Sequence, residues 1–183
     1  MERSAAIALL HRYVQGDGLT KHCLATGAIM KSTAGFFSQE PARWEEIGIL
    51  HDIDFEYVKQ DMQQHGAVGA QLLKTAGVPD ETGEIVRRHN HFLHTGTYES
   101  PVEIALQAAD SASGLIIACA LVKRGHLSDV SVRTITKKAK EKSFAAGCDR
   151  NRITLIAPLM EIPVFYEHAL AGMMEIRTEL GLE

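Results

Sequence analysis

Six side chains in the first two thirds of the chain have the chemistry of metal ligands: His22, His51, Asp52, His65, His89 and Asp110. Neutral imidazole and ionised carboxylate are both available at pH 7, and together they suit a borderline or hard divalent cation. Asp110 is the most demanding of the six, because Ala105, Leu106, Ala108, Ala109, Leu115, Ile116 and Ile117 surround it. An unpaired carboxylate buried there would cost several kcal/mol. A bound cation removes that penalty; an arginine or a set of backbone amides is the other solution. His51 and Asp52 are adjacent, and helical neighbours point about 100° apart. Both reach one ion only if the helix ends at the pair, so the dipeptide alone says little. His22 shares a helix face with Ala25, Thr26, Ile29 and Thr33, which equally suits a core histidine. His65 opens one helix and His89 closes another, and each alone reads as readily as a solvated terminal residue.

The elements that must position these groups all read as helices. A short amphipathic segment, Ile7 to Val14, precedes Gly16 and Gly18. Thr20 is expected to cap the next helix, which runs to about Phe37. Pro41 stands at a first helical position, and that helix ends near His51-Asp52. After the loop DFEYVKQDMQQ, a helix runs from His65 to Gly77. Gly66 and Gly69 on it would let another backbone approach. A further helix runs from Pro79-Asp80-Glu81 to His89, followed by the loop HNHFLHTGTYE. Ser100, Pro101 and Glu103 form a capping box for a long apolar helix. A basic helix from about Ser131 to Ala145-Ala146-Gly147 comes next, then two more over 151–160 and 163–180. Leu127 to Ile135 is rich in β-branched residues, but no stretch shows strand alternation. The fold class expected is all-α, a single domain over 1–183 with a core at about 19–123 and additional C-terminal helices over about 124–183.

Composition narrows the function. The chain has 183 residues, 45% of them hydrophobic, and a net charge of −4, which argues against a nucleic-acid polymer as partner. Three cysteines, Cys23, Cys119 and Cys148, form no C-x-x-C pair and cannot all be in disulfides, which favours a reducing, cytoplasmic setting. The first residues lack the pattern of a signal peptide. Ile104 to Val122 is almost continuously apolar, yet Asp110 and Gln107 interrupt it. The expectation is a buried central helix, not a membrane span.

The order of these groups resembles the HD superfamily of metal-dependent phosphohydrolases. The resemblance rests on LTKHCLATGAIM, EEIGILHDIDFEY, QQHGAVGAQLL, VRRHNH and ALQAADSASGLI. It is similar again to small bacterial HDIG-type proteins, through LHDIDFEY and the later KSFAAGCDR. Here Asp54 stands where the HDIG pattern has glycine, which alters the loop or gives Asp54 a role. The resemblance implies an HD-domain helical bundle with core ligands at His22, His51, Asp52 and Asp110. Binuclear members carry further histidines at positions like His65 and His89, and His91 is an alternative to His89. One or two divalent ions are implied, drawn from Mn, Fe, Co, Ni, Zn or Mg.

The function expected is hydrolysis of a nucleotide or other small phosphate ester through a metal-bound water or hydroxide. Asp52 would join the catalytic set as a bridge between ions. Arg87, Arg88, Lys138, Lys142 and Arg150 are candidates to neutralise phosphoryl charge, Arg88, Lys138 and Lys142 foremost. The basic run Arg133 to Lys142 reads equally as a solvated helix face. Asp54 and Glu56 are candidates for proton transfer or for orienting a ligand histidine, or are solvated loop acids. A di-iron oxygenase and a non-catalytic metal- or nucleotide-binding signalling module are the alternatives. A small-molecule phosphate is the expected partner, with no membrane; the oligomeric state, a homodimer included, is open.

Overall fold

The apolar positions converge on one cluster whose members run from Ala6 to Leu182, so the C-terminal helices share a core with the rest of the chain. A computed structural model describes all 183 residues. Nine α-helices form it, with no strand. They are α1 (Arg3–Leu10), α2 (Asp17–Ala34), α3 (Pro41–Leu50), α4 (Ala67–Thr75) and α5 (Asp80–His89). They continue as α6 (Pro101–Leu121), α7 (Val132–Ala139), α8 (Arg150–Thr154) and α9 (Ile162–Glu175).

Helix α2 is the hub, packed against α3, α6 and α9. The α2–α3 contact is backbone-close. A Cβ on Gly48 would come within 2.6 Å of the Gly27 Cα, so only glycines let these helices approach as they do. That approach brings His22 on α2 beside His51 at the end of α3. Helix α6 is long and apolar enough to cross a membrane by length and composition, but two thirds of its most apolar window is buried within the fold. Its start follows from sequence: Ser100 accepts from the Glu103 amide, Glu103 reaches back to Ser100, and Pro101 fills the first turn.

Several boundaries differ from the sequence reading. The first helix occupies Arg3–Leu10, not Ile7 to Val14. Thr20 does not cap α2, which begins at Asp17. The Glu56 carboxylate, forty residues away, accepts from the amides of Gln15 (2.8 Å) and Gly16 (3.0 Å) and fixes that start. Helix α7 stops at Ala139, short of Ala145–Gly147. Ala145 has φ of 45°, a left-handed conformation that no helix continues through. Arg150 donates to the carbonyls of Phe144, Ala145 and Cys148 and holds the intervening loop in place. The last two helices are also shorter than expected, and turns follow each.

Candidate metal centre

Five segments of the chain deliver the six candidate ligands. Helix α2 carries His22, the end of α3 carries His51 and Asp52, and the turn before α4 carries His65. The last residue of α5 is His89, and the middle of α6 carries Asp110. Asp52 Oδ1 lies 3.4 Å from His51 Nε2, 3.3 Å from His65 Nε2 and 3.2 Å from His89 Nε2. Its Oδ2 is 3.5 Å from His22 Nε2. Asp110 Oδ1 is 3.3 Å from His22 Nε2 and 4.0 Å from His51 Nε2. The donors fall into two triads, His22–His51–Asp52 and Asp52–His65–His89, with Asp52 common to both. His91 lines the adjoining cavity but does not enter either triad; His89 does.

All four imidazoles are anchored at Nδ1. His51 donates to the Gly48 carbonyl (2.8 Å) and His89 to the Val86 carbonyl (2.5 Å). His65 donates to Asp54 Oδ1 (2.8 Å). His22 donates to Ser113 Oγ (3.0 Å), whose own proton goes to the Asp110 carbonyl (2.7 Å). With each Nδ1 proton committed, the four Nε2 atoms turn inward as lone-pair donors. His22 and His51 Nε2 are then 3.2 Å apart, and His65 and His89 Nε2 3.0 Å apart. Two lone pairs at that distance repel unless a cation lies between or beside them.

The titration behaviour agrees. Burial opposes charge on His22, but Asp110 and Asp52 outweigh it and raise the group to about 10. His65 is likewise raised to about 9, by Asp52 and Asp54 against burial. Burial pushes His51 down to about 4. One imidazole of the first pair is thus charged and the other neutral, so in the metal-free protein a proton supplies the missing positive charge. Burial works against the Asp52 and Asp110 carboxylates too. The histidines hold Asp52 well below its ordinary value, and Arg152 with His22 does the same for Asp110. Once the protons on His22 and His65 are displaced, four neutral nitrogens and two ionised carboxylates fit divalent cations, and the anchored rings are the usual arrangement of metal-binding histidines.

Asp54 is fully buried, and its role is not that of a solvated loop acid. Beyond His65 it accepts from the amides of Gly66 (2.8 Å) and Gly69 (2.6 Å) at the start of α4. Gly66 has φ of 83°, which turns its amide toward the carboxylate at little cost. Asp54 therefore orients His65 and starts α4 together.

The other sequence candidates stand apart from this cluster. Glu56 spends its carboxylate on the chain before α2. Arg88 pairs with Glu103 (3.1 Å), and Arg87 pairs with Glu84. Lys138 pairs with Glu141 (2.7 Å) and sits over the Phe144 ring. Lys142 is exposed on the wall of a neighbouring cavity, together with Arg150. None of these lines the cavity beside Asp52, which has a volume of about 260 Å³. The cation that does is Arg152, which the sequence reading missed. Its Nη2 is 2.6 Å from Asp110 Oδ2, and its Nε donates to Gln107 Oε1 (2.8 Å). The only sequence signal for it is the arginine two residues after KSFAAGCDR.

Residues 19–115 match the family model described as HD domain. The match covers more than half of the chain, so the protein belongs to the HD domain family. No curated protein and no solved structure matches the chain. The family and the buried His/Asp cluster are together compatible with a metal-dependent hydrolase that binds divalent metal.

Proposed function

We propose that this protein hydrolyses a small phosphate ester at a centre of two divalent cations. The observation that carries the reading is Asp52, shared by two triads whose four imidazoles all turn Nε2 inward. His22, His51, Asp52 and Asp110 would hold one cation; His65, His89 and Asp52 would hold the other. Divalent cations in such a site activate water at neutral pH and draw charge from a phosphoryl oxygen. Asp52 and Asp110 keep the site anionic enough to retain the cations. Asp54 and the carbonyls of Gly48 and Val86 keep the imidazole rings from rotating out of position. Substrate reaches the cluster through the cavity lined by Phe55, Met62, His91, Phe92, Gly147 and Arg152. The cavity of about 260 Å³ is of a size to take a small phosphate group, which supports a small-molecule substrate.

The test is purified protein loaded separately with Mn²⁺, Fe²⁺, Co²⁺, Ni²⁺, Zn²⁺ or Mg²⁺ and assayed on a panel of phosphomonoesters and phosphodiesters. Release of phosphate or alcohol with at least one metal, lost in His51→Ala, is the expected result. Full metal occupancy without turnover of any ester would defeat the reading.

A further inference from the structure

Arg152 lies outside the 19–115 match, on the five-residue helix α8, yet it lines the cavity beside Asp52, His65 and His89. Its side chain is only 13% exposed. Nε is the one guanidinium nitrogen with an aligned acceptor, Gln107 Oε1; Gln107 in turn donates to the His89 carbonyl (2.9 Å). Nη2 is close to Asp110 Oδ2 but lacks an aligned hydrogen bond, although it is buried. The fork is therefore fixed in direction while its terminal N–H groups are incompletely used.

A guanidinium held this way is costly to bury unless something anionic uses its remaining donors. In the metal-free protein Asp110 supplies the countercharge. Asp110 turns Oδ1 to the histidines and Oδ2 to Arg152, so a cation held at Oδ1 would share that carboxylate's charge and leave Arg152 only partly neutralised. Its planar donors match the oxygens of a phosphoryl group. No other arginine or lysine lines this cavity.

Resting on the phosphoester reading above, we propose that Arg152 is the phosphoryl-binding residue, so that the chain beyond the family match completes the site. It is a catalytic residue in the strict sense, touching the substrate's phosphoryl oxygens. The competing role is purely positional: Arg152 would only hold Asp110 in place.

Calorimetry with inorganic phosphate on the Mn²⁺-loaded full chain separates the two, with bound metal counted for each variant. Arg152→Ala is expected to weaken phosphate at least tenfold with metal content unchanged. Arg152→Lys, which keeps charge but not the fork, is expected to fall between. If the alanine variant does not fold, the lysine variant decides by the same two readouts. Phosphate affinity equal to the native protein's would overturn the proposal. So would no phosphate binding by the native protein, or loss of metal in step with loss of phosphate. Arg152-dependent phosphate binding without turnover of any ester would uphold this inference and defeat the hydrolase reading instead.

Discussion

His22, His51 and Asp110 come from α2, the C-terminal end of α3 and α6, helices packed on one another around α2. His65 and His89 come from the turn before α4 and the last residue of α5. The first group is positioned by helix packing: the Gly27–Gly48 approach brings His22 and His51 together, and the packing of α6 on α2 brings Asp110. The second is positioned by one buried carboxylate, Asp54, and by the Val86 carbonyl. Asp52 belongs to both. Each ring is held by one hydrogen bond at Nδ1, but on the two-cation reading the second site would depend more on a single buried carboxylate, because Asp54 both holds His65 and starts α4.

Removing the shared residue should have the largest effect. Asp52→Ala is expected to lose both cations and reduce turnover to background, while helical content measured by circular dichroism is kept. Retention of either cation at native affinity would show that the two halves do not share Asp52.

Next come changes confined to one half. His89→Ala should leave one cation per chain, and His51→Ala should strip the first site. Asp54→Asn should weaken the second cation by about 10–100-fold, the usual effect of losing a partner that orients a ligand histidine. It should also lower fold stability by roughly 1–3 kcal/mol, because buried donors lose their acceptor. Metal titration and denaturant melts check the two parts separately. Equal weakening of both cations would contradict the division of the site.

Protons compete with metal in both halves. In the metal-free cluster His22 is raised to about 10 and His65 to about 9, with burial opposing and carboxylates prevailing. Both are then protonated at pH 7, and a cation must displace those protons. Apparent metal affinity should rise between pH 6 and 9, with net proton release measurable by calorimetry in buffers of different ionisation enthalpy. The same raised values stabilise the metal-free fold at pH below about 6.5, the ordinary histidine value. That contribution is lost as pH climbs through 9 to 10, so the melting temperature of metal-free protein should fall there. Metal-loaded protein should show no such fall.

The smallest effect belongs to Glu56, close in sequence to the site but occupied with the start of α2. Glu56→Gln should cost about 1 kcal/mol, in the range of a lost helix cap, with metal content unchanged. A large loss of turnover at native metal content would return Glu56 to the chemistry.

The first half of the site is the more legible half in the sequence, for a physical reason. Asp110 in an apolar helix is a local anomaly that a cation explains, and it gives weight to His22 and to the otherwise uninformative pair His51-Asp52. The capping box at Ser100 and the proline at position 41 likewise declare their helices within a few residues. What the sequence conceals depends on distant partners. Glu56 sets the start of α2 from forty residues away. Arg150 gathers three carbonyls and holds the loop that follows the basic helix. Arg152 becomes a site residue only because α8 packs on α6, beside Gln107 and Asp110. Asp54 shows the limit most clearly: its departure from the HDIG glycine was visible, but its three hydrogen bonds were not.

In the proposed centre two cations would share Asp52. Electron paramagnetic resonance of the Mn²⁺-loaded protein, with bound metal counted on the same sample, tests it most directly. Two Mn²⁺ per chain with an exchange-coupled spectrum are expected, the coupling vanishing in Asp52→Ala. A single Mn²⁺ at saturation, or two without coupling, would contradict the account.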